Sequence, residues 1–307
     1  MNNPFIGVMP ALTTKFDESG NIDYDLFAKN LRFQMQSGVH GVILGGTLGE
    51  ASTLSSQELR ELVRFTVNQV KGTLPVIRNI AESRTDLAIQ AAHEAASDGA
   101  TGLMLLPPMR YKADSREIVD YLMSIANATE LPIMLYNNPV DYGNEVTMDM
   151  FEELANSCPN IVAVKESTRD ISNVTRMRNR FGNRFRILCG VDTLAMESLL
   201  MGADGWVAGL VCAFPEETVC IYELIQQEDF AQLKVARTIY AWFLPLLELD
   251  INPKLVQNIK LAEEICGIGS AFVRAPRKLL EGEELIRVRG IIEKALASRP
   301  QLPTYLV

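Results

Sequence analysis

A lysine closes an uninterrupted apolar run at Ile161-Val162-Ala163-Val164-Lys165, and Glu166 and Ser167 follow at once. Four apolar residues rich in Val and Ile read as a buried strand. An ammonium taken out of water is costly, so a buried lysine sheds its proton, pairs with an acid, or both. A neutral amine is a nucleophile that can attack a carbonyl and form a Schiff base. The plain alternative is a Lys165 just past the strand end, solvated or paired with Glu166. A second run, Pro132-Ile-Met-Leu-Tyr136-Asn137-Asn138, ends on a phenol that could pass a proton to and from a carbinolamine or a substrate hydroxyl. Its alternative is a core tyrosine with its hydroxyl satisfied at the surface. A third, Val42-Ile-Leu, leads into Gly45-Gly46-Thr47-Leu48-Gly49-Glu50. Small residues, one hydroxyl and a row of backbone N–H groups can hold a carboxylate, although such a turn also serves as a simple connection.

The composition removes several other chemistries. Net charge is −9 and no Lys/Arg block stands out, so neither a nucleic-acid footprint nor a membrane-surface patch is expected. No apolar run approaches the roughly 18 residues of a membrane span, and Met1-Asn-Asn-Pro-Phe lacks the pattern of a secretory leader. A cytoplasmic protein acting on a small molecule is the expectation. The five cysteines are scattered without a C-x-x-C pair and read as reduced core thiols. The two histidines, His40 before a strand and His93 on a helix face, form no zinc pattern and no Ser-His-Asp set. No metal or organic cofactor is expected.

The elements that must position these groups recur along the first two-thirds of the chain. Strand-like runs begin at Gly7, Gly41, Pro75, Gly102, Pro132, Ile161, Arg186 and Gly205, with spacings between 34 (7 to 41) and 19 (186 to 205). That spacing suits one strand, one helix and two short loops. Helical patterns lie between them, including Ser55-Ser-Gln-Glu58, which reads as a capping box. Eight near-continuous apolar strands alternating with helices predict an α/β fold, the (β/α)₈ TIM barrel. An open doubly wound sheet is the rival, but Gly45 to Glu50 lacks the G-x-G-x-x-G spacing. We expect the barrel over 1–215 and a C-terminal helical subdomain packed on it over 216–307, with helices at 216–241, 258–266 and 285–298 punctuated by Pro245, Pro253 and Pro276. Barrels carry chemistry at the carboxyl ends of their strands, which here end in Thr13-Thr14, Thr47, Asn79, Pro107, Tyr136, Lys165, Gly190 and Gly209.

In this order and spacing, Gly46-Thr-Leu-Gly-Glu50, Tyr136-Asn-Asn-Pro139 and Val164-Lys-Glu-Ser167 resemble the dihydrodipicolinate synthase / N-acetylneuraminate lyase family of class I aldolases, from Gly7 to about Pro276. The resemblance implies a homotetrameric barrel and a Schiff base between a lysine and the 2-oxo group of pyruvate or a related acid. Carried over by position, Lys165 is that lysine and Tyr136 its proton relay. Thr47 with the Leu48 and Gly49 amides would hold the substrate carboxylate, and Asn138, Gly190 and Val207 would complete the substrate site.

The departures narrow the substrate. Leu48 stands where dihydrodipicolinate synthases have a second threonine, and Val140-Asp141-Tyr142 stands where they have the arginine that binds the far carboxylate. Their second relay tyrosine, from a neighbouring subunit, aligns near Pro108-Met109, and only Tyr111 is close. Synthase activity is therefore not the first expectation. The runs after Tyr136, Gly190 and Gly205, and Pro253 to Lys260, resemble the branch that opens the cyclic imine 1-pyrroline-4-hydroxy-2-carboxylate to 2-oxoglutarate semialdehyde in hydroxyproline degradation. Leu48 and Trp206 predict a small, rather apolar pocket for it. The alternatives are an aldolase for 2-keto-3-deoxy sugar acids or N-acetylneuraminate, a synthase-like enzyme, and a barrel that only binds a regulatory ligand.

Overall fold

The computed structural model describes residues 3–303 other than 252. Met1 and Asn2, where the leader pattern is sought, and the last four residues lie outside the described residues. Each of the eight apolar runs forms a strand: β1 (Gly7–Pro10), β2 (Val42–Leu44), β3 (Val76–Ile80), β4 (Gly102–Leu105), β5 (Ile133–Asn137), β6 (Ile161–Glu166), β7 (Arg186–Cys189) and β8 (Gly205–Ala208). All neighbours pair in parallel, in the order β1-β8-β7-β6-β5-β4-β3-β2. A parallel bridge between Ala11 and Ile43 joins β1 to β2 and closes the ring. The strands read as continuous apolar runs because helices cover their outer faces while side chains fill the interior. At the β1–β8 seam Gly7 lies opposite Gly205, and a Cβ on Gly205 would lie 2.7 Å from the Gly7 nitrogen. Larger residues would push the seam apart.

The helices begin where local chemistry predicts. Ser55 accepts from the Glu58 amide while Glu58 accepts from the Ser55 amide, so the capping box forms and starts Ser56–Val70. His93 lies on the exposed face of Thr85–Ser97, and His40 sits at the amino-terminal end of the barrel, where its Nδ1 accepts from the Val8 amide at 3.1 Å. The cysteines are free thiols, four buried and Cys266 half-buried. Among the described residues no helix is long and apolar enough to cross a membrane.

The tail differs in detail from the sequence expectation. Pro215–Gln226 follows β8, packs against β1 and completes the eighth β/α unit, so the boundary at 215 falls before the last barrel helix. The span 216–241 is two helices rather than one. Glu228 adopts a left-handed φ of 52°, and Asp229 caps Phe230–Leu247 by accepting from the Ala231 and Gln232 amides. Pro245 lies inside that helix rather than ending it. It falls in the last turn, where one missing N–H interrupts little. Helix Leu255–Ile265 is joined to the barrel by two ion pairs with fully buried side chains, Lys260 to Glu50 at 2.7 Å and Glu263 to Lys15 at 2.8 Å. Thr13 adds a hydroxyl bond to Glu263.

Candidate active site

A cleft of about 800 Å³ opens over the carboxyl ends of the strands, and Thr47, Leu48, Tyr136, Asn138, Lys165 and Gly190 all line it. Strand alternation decides which way the β6 side chains point. Lys165 faces the cleft and is only 7% exposed, with its amine 3.9 Å from the centroid of the Tyr136 ring. Glu166 faces away. It accepts from the Thr168 amide at 2.8 Å and from Asn173 Nδ2 at 3.0 Å, so it is not the partner of Lys165. Among the described residues Lys165 has no ion pair at all. Burial lowers its pKa, and the Tyr142 hydroxyl and the Asp250 and Asp192 carboxyls oppose that shift.

Tyr136 pairs with Lys165 in register across β5 and β6. Its hydroxyl accepts from Asn138 Nδ2 at 3.0 Å, and burial pushes its pKa up to about 12. Asn138 also donates to Asp141 and caps the short helix Pro139–Tyr142, so its amide is already engaged by the loop. That turn brings round Tyr142, to which the sequence reading assigned no role. The Tyr142 hydroxyl lies 2.6 Å from Thr47 Oγ1, and its ring stands edge-on to Tyr136 with centroids 5.7 Å apart. Tyr111 is 52% exposed and does not line the cleft of its own chain.

The remaining expected residues divide. Thr47 and Leu48 line the cleft, but Gly49 lies behind it, with its carbonyl accepting from Thr14 Oγ1 at 2.6 Å. Gly190 is a spacer: a Cβ there would lie 2.7 Å from Lys165 Cε and collide with Ser167 Oγ. Val207 lines the cleft as expected, whereas Trp206 does not. Trp206 is wholly buried and donates its Nε1–H to Asp192 at 2.8 Å. The Ser167 hydroxyl is buried beside Lys165 and close to the Tyr136 phenol, whose ionised form it favours.

Other groups reach the site besides the residues that close the strands. Asp192 is buried after β7, and besides Trp206 it accepts from the Leu210 amide at 2.9 Å and the Gly209 amide at 3.2 Å. Asp250 enters from the C-terminal segment Glu248–Ile251. Arg110, Arg169 and Arg277 stand at the rim. Arg169 lies 3.4 Å from Asp141 and Arg277 3.7 Å from Glu50, so two of the three face carboxylates within the chain.

A lysine-centred cleft at the carboxyl end of a (β/α)₈ barrel defines the class of enzyme this chain represents. The model of the dihydrodipicolinate synthetase family matches residues 4–295, and the chain belongs to that family. It is similar to the 4-hydroxy-tetrahydrodipicolinate synthase of Kosmotoga olearia, 32% identical over 301 residues with 95% of this chain and 97% of the relative covered. The synthase of Leptospira biflexa is 34% identical over 275 residues, covering 89% of this chain and 91% of that one. Among solved structures, dihydrodipicolinate synthase from Aquifex aeolicus superposes with a TM-score of 0.89 at 27% identity, over 94% of this chain and 98% of that one. These relatives all carry the name of the synthase.

Proposed function

We propose that the chain is a Schiff-base lyase that converts 1-pyrroline-4-hydroxy-2-carboxylate and water to 2-oxoglutarate semialdehyde and ammonia. The observation that carries the reading is Lys165, a buried amine without an ion pair lying over the Tyr136 ring. Burial favours its neutral form, which can add to C2 of the cyclic imine. The ring nitrogen then leaves as an amine, with Tyr136 exchanging the protons. Loss of a C3 proton gives an enamine that expels the C4 hydroxyl as water. After isomerisation, two C=N bonds are hydrolysed, one at C5 releasing ammonia and one at C2 freeing Lys165. One water is lost and two are consumed, so atoms balance.

Thr47 and the backbone around it are the group we assign to the substrate carboxylate, with the iminium at Lys165 as electron sink. Support for the small cyclic imine comes from Leu48 on the cleft wall and from Asp141 beside Arg169, which leaves that cation partly neutralised. A synthase-like condensation is the second reading. It is favoured by the names of the relatives and by Arg110 at the rim. Family likeness further supports a cytoplasmic homotetramer, and sedimentation showing a stable monomer at micromolar concentration would count against the assembly.

The deciding experiment runs ammonia release from 1-pyrroline-4-hydroxy-2-carboxylate beside pyruvate release from 2-keto-3-deoxy sugar acids and N-acetylneuraminate, and beside condensation of pyruvate with aspartate semialdehyde. Ammonia from the first alone is expected. Turnover only in one of the others would replace this reading by that activity.

A further inference from the structure

Asp250 is a carboxyl that the steps above leave without a task. It belongs to the segment Glu248–Ile251, outside the eight β/α units, yet it lines the same cleft as Lys165. Its approach depends on Gly209, which directly follows β8. A Cβ on Gly209 would lie 2.6 Å from Asp250 Oδ1 and 2.9 Å from Cγ, so any larger residue there would displace the carboxyl. Asp192 is the contrast: its oxygens are occupied by the Trp206 indole and the Gly209 and Leu210 amides. Asp250 has no hydrogen bond to another described residue.

The proposed chemistry needs an acid at that point. Lys165 is committed to C2, and Tyr136 is held by Asn138 over the amine. Hydroxide is a poor leaving group, and a carboxylic acid in hydrogen-bond reach removes the difficulty by making the departing species water. We infer that Asp250 is the acid that protonates the C4 hydroxyl as it leaves, an inference that rests on the lyase reading above. The enamine nitrogen pair forms C2=N, the C2=C3 pair moves to C3=C4, the C4–O bond breaks onto oxygen, and the Asp250 proton goes to that oxygen. Asp250 is left as a carboxylate beside the cationic iminium, and solvent at the open cleft returns its proton.

The charges around it are consistent with a protonated resting state. Asp192 after β7 and Asp141 after β5 both disfavour a further negative charge, Lys165 on β6 opposes them, and burial is the largest influence, holding the carboxyl well above its ordinary range. A neutral acid is what the step requires.

The test is Asp250→Asn, which keeps the size of the side chain and removes the proton donor. Three readouts are taken on the full chain: borohydride trapping of Lys165 with the cyclic imine, exchange of the C3 hydrogens with deuterated water, and ammonia release. We expect trapping and exchange to stay within about threefold while ammonia release falls by about 10² to 10⁴, with Asp250→Glu recovering part of it. Gly209→Ala, which pushes the carboxyl aside, should reproduce the same split. Undiminished ammonia release in Asp250→Asn, or a fall of all three readouts together, would overturn the assignment. If the wild-type chain itself fails to trap, the lyase reading falls first, and this inference falls with it.

Discussion

The amine of Lys165 lies 3.9 Å from the centre of the Tyr136 ring, and the two residues stand opposite each other in register on neighbouring parallel strands. In the proposed reaction this phenol would exchange the protons around C2 and C3. Tyr136→Phe keeps the ring and loses only the hydroxyl. It should leave the fold unchanged and slow turnover by about 10² to 10⁴, the usual share of a positioned acid–base group. Steady-state kinetics showing no change would reduce Tyr136 to a packing role.

The state of Lys165 can be read from its pH dependence. Only the neutral amine attacks, and burial lowers the folded-state pKa below the ordinary value of about 10.4. The rate of borohydride trapping with pyruvate should therefore rise with pH and level off at a midpoint below that of a free lysine. The Asp192 carboxylate, held by Trp206 and the Gly209 and Leu210 amides, favours the charged form. Asp192→Asn should thus move the midpoint lower still. A wild-type midpoint at or above about 10.4 would mean that the lysine is solvated.

Thr47 and Tyr142 share one short hydroxyl bond, so each orients the other. Under the proposed function Thr47→Val removes a donor to the substrate carboxylate and should raise KM more than it lowers kcat. Tyr142→Phe leaves Thr47 in place but frees its hydroxyl to rotate. A double-mutant cycle should show coupling between the two, and strictly additive losses in kcat/KM would indicate that the bond has no part in binding.

Gly190→Ala tests the packing around Lys165. The added methyl meets Lys165 Cε at 2.7 Å and collides with Ser167 Oγ, so the amine must move. Trapping should fall at least about 10²-fold, on the scale of an ångström-sized misplacement, while circular dichroism stays that of the wild type. Normal trapping would show that the lysine has other productive rotamers.

Lys260 and Glu50 are a fully buried pair linking the C-terminal helices to the loop that carries Thr47. Lys260→Met leaves Glu50 in the interior without its closest cation. Urea denaturation should report a loss of about 3 to 5 kcal/mol, as for other broken buried pairs. Replacing both partners, with Glu50→Gln beside Lys260→Met, should recover much of it. Equal stability of Lys260→Met and wild type would mean that Arg277, 3.7 Å from Glu50, takes over the charge.

The barrel was legible in the chain because its cause is local. A strand covered on both faces must be apolar throughout, and eight such runs, each followed by a helical period, leave few other arrangements. Lys165 stood out for the same reason, as a charge set in an apolar run, and Tyr136 as the polar end of the strand beside it. What the tertiary structure decided is the company these residues keep. Thr47 and Tyr142 are 95 residues apart in the chain, and Lys260 and Glu50 are 210 apart. Asp250 lies in a short segment with nothing in its composition to mark it, and its carboxyl lies against Gly209, where a side chain would displace it. Hydrophobic periodicity reports which face of an element is buried, but it is silent on which polar groups meet once the barrel closes. That is why Lys165 and Tyr136 could be singled out in the sequence, whereas Tyr142 and Asp250 could not.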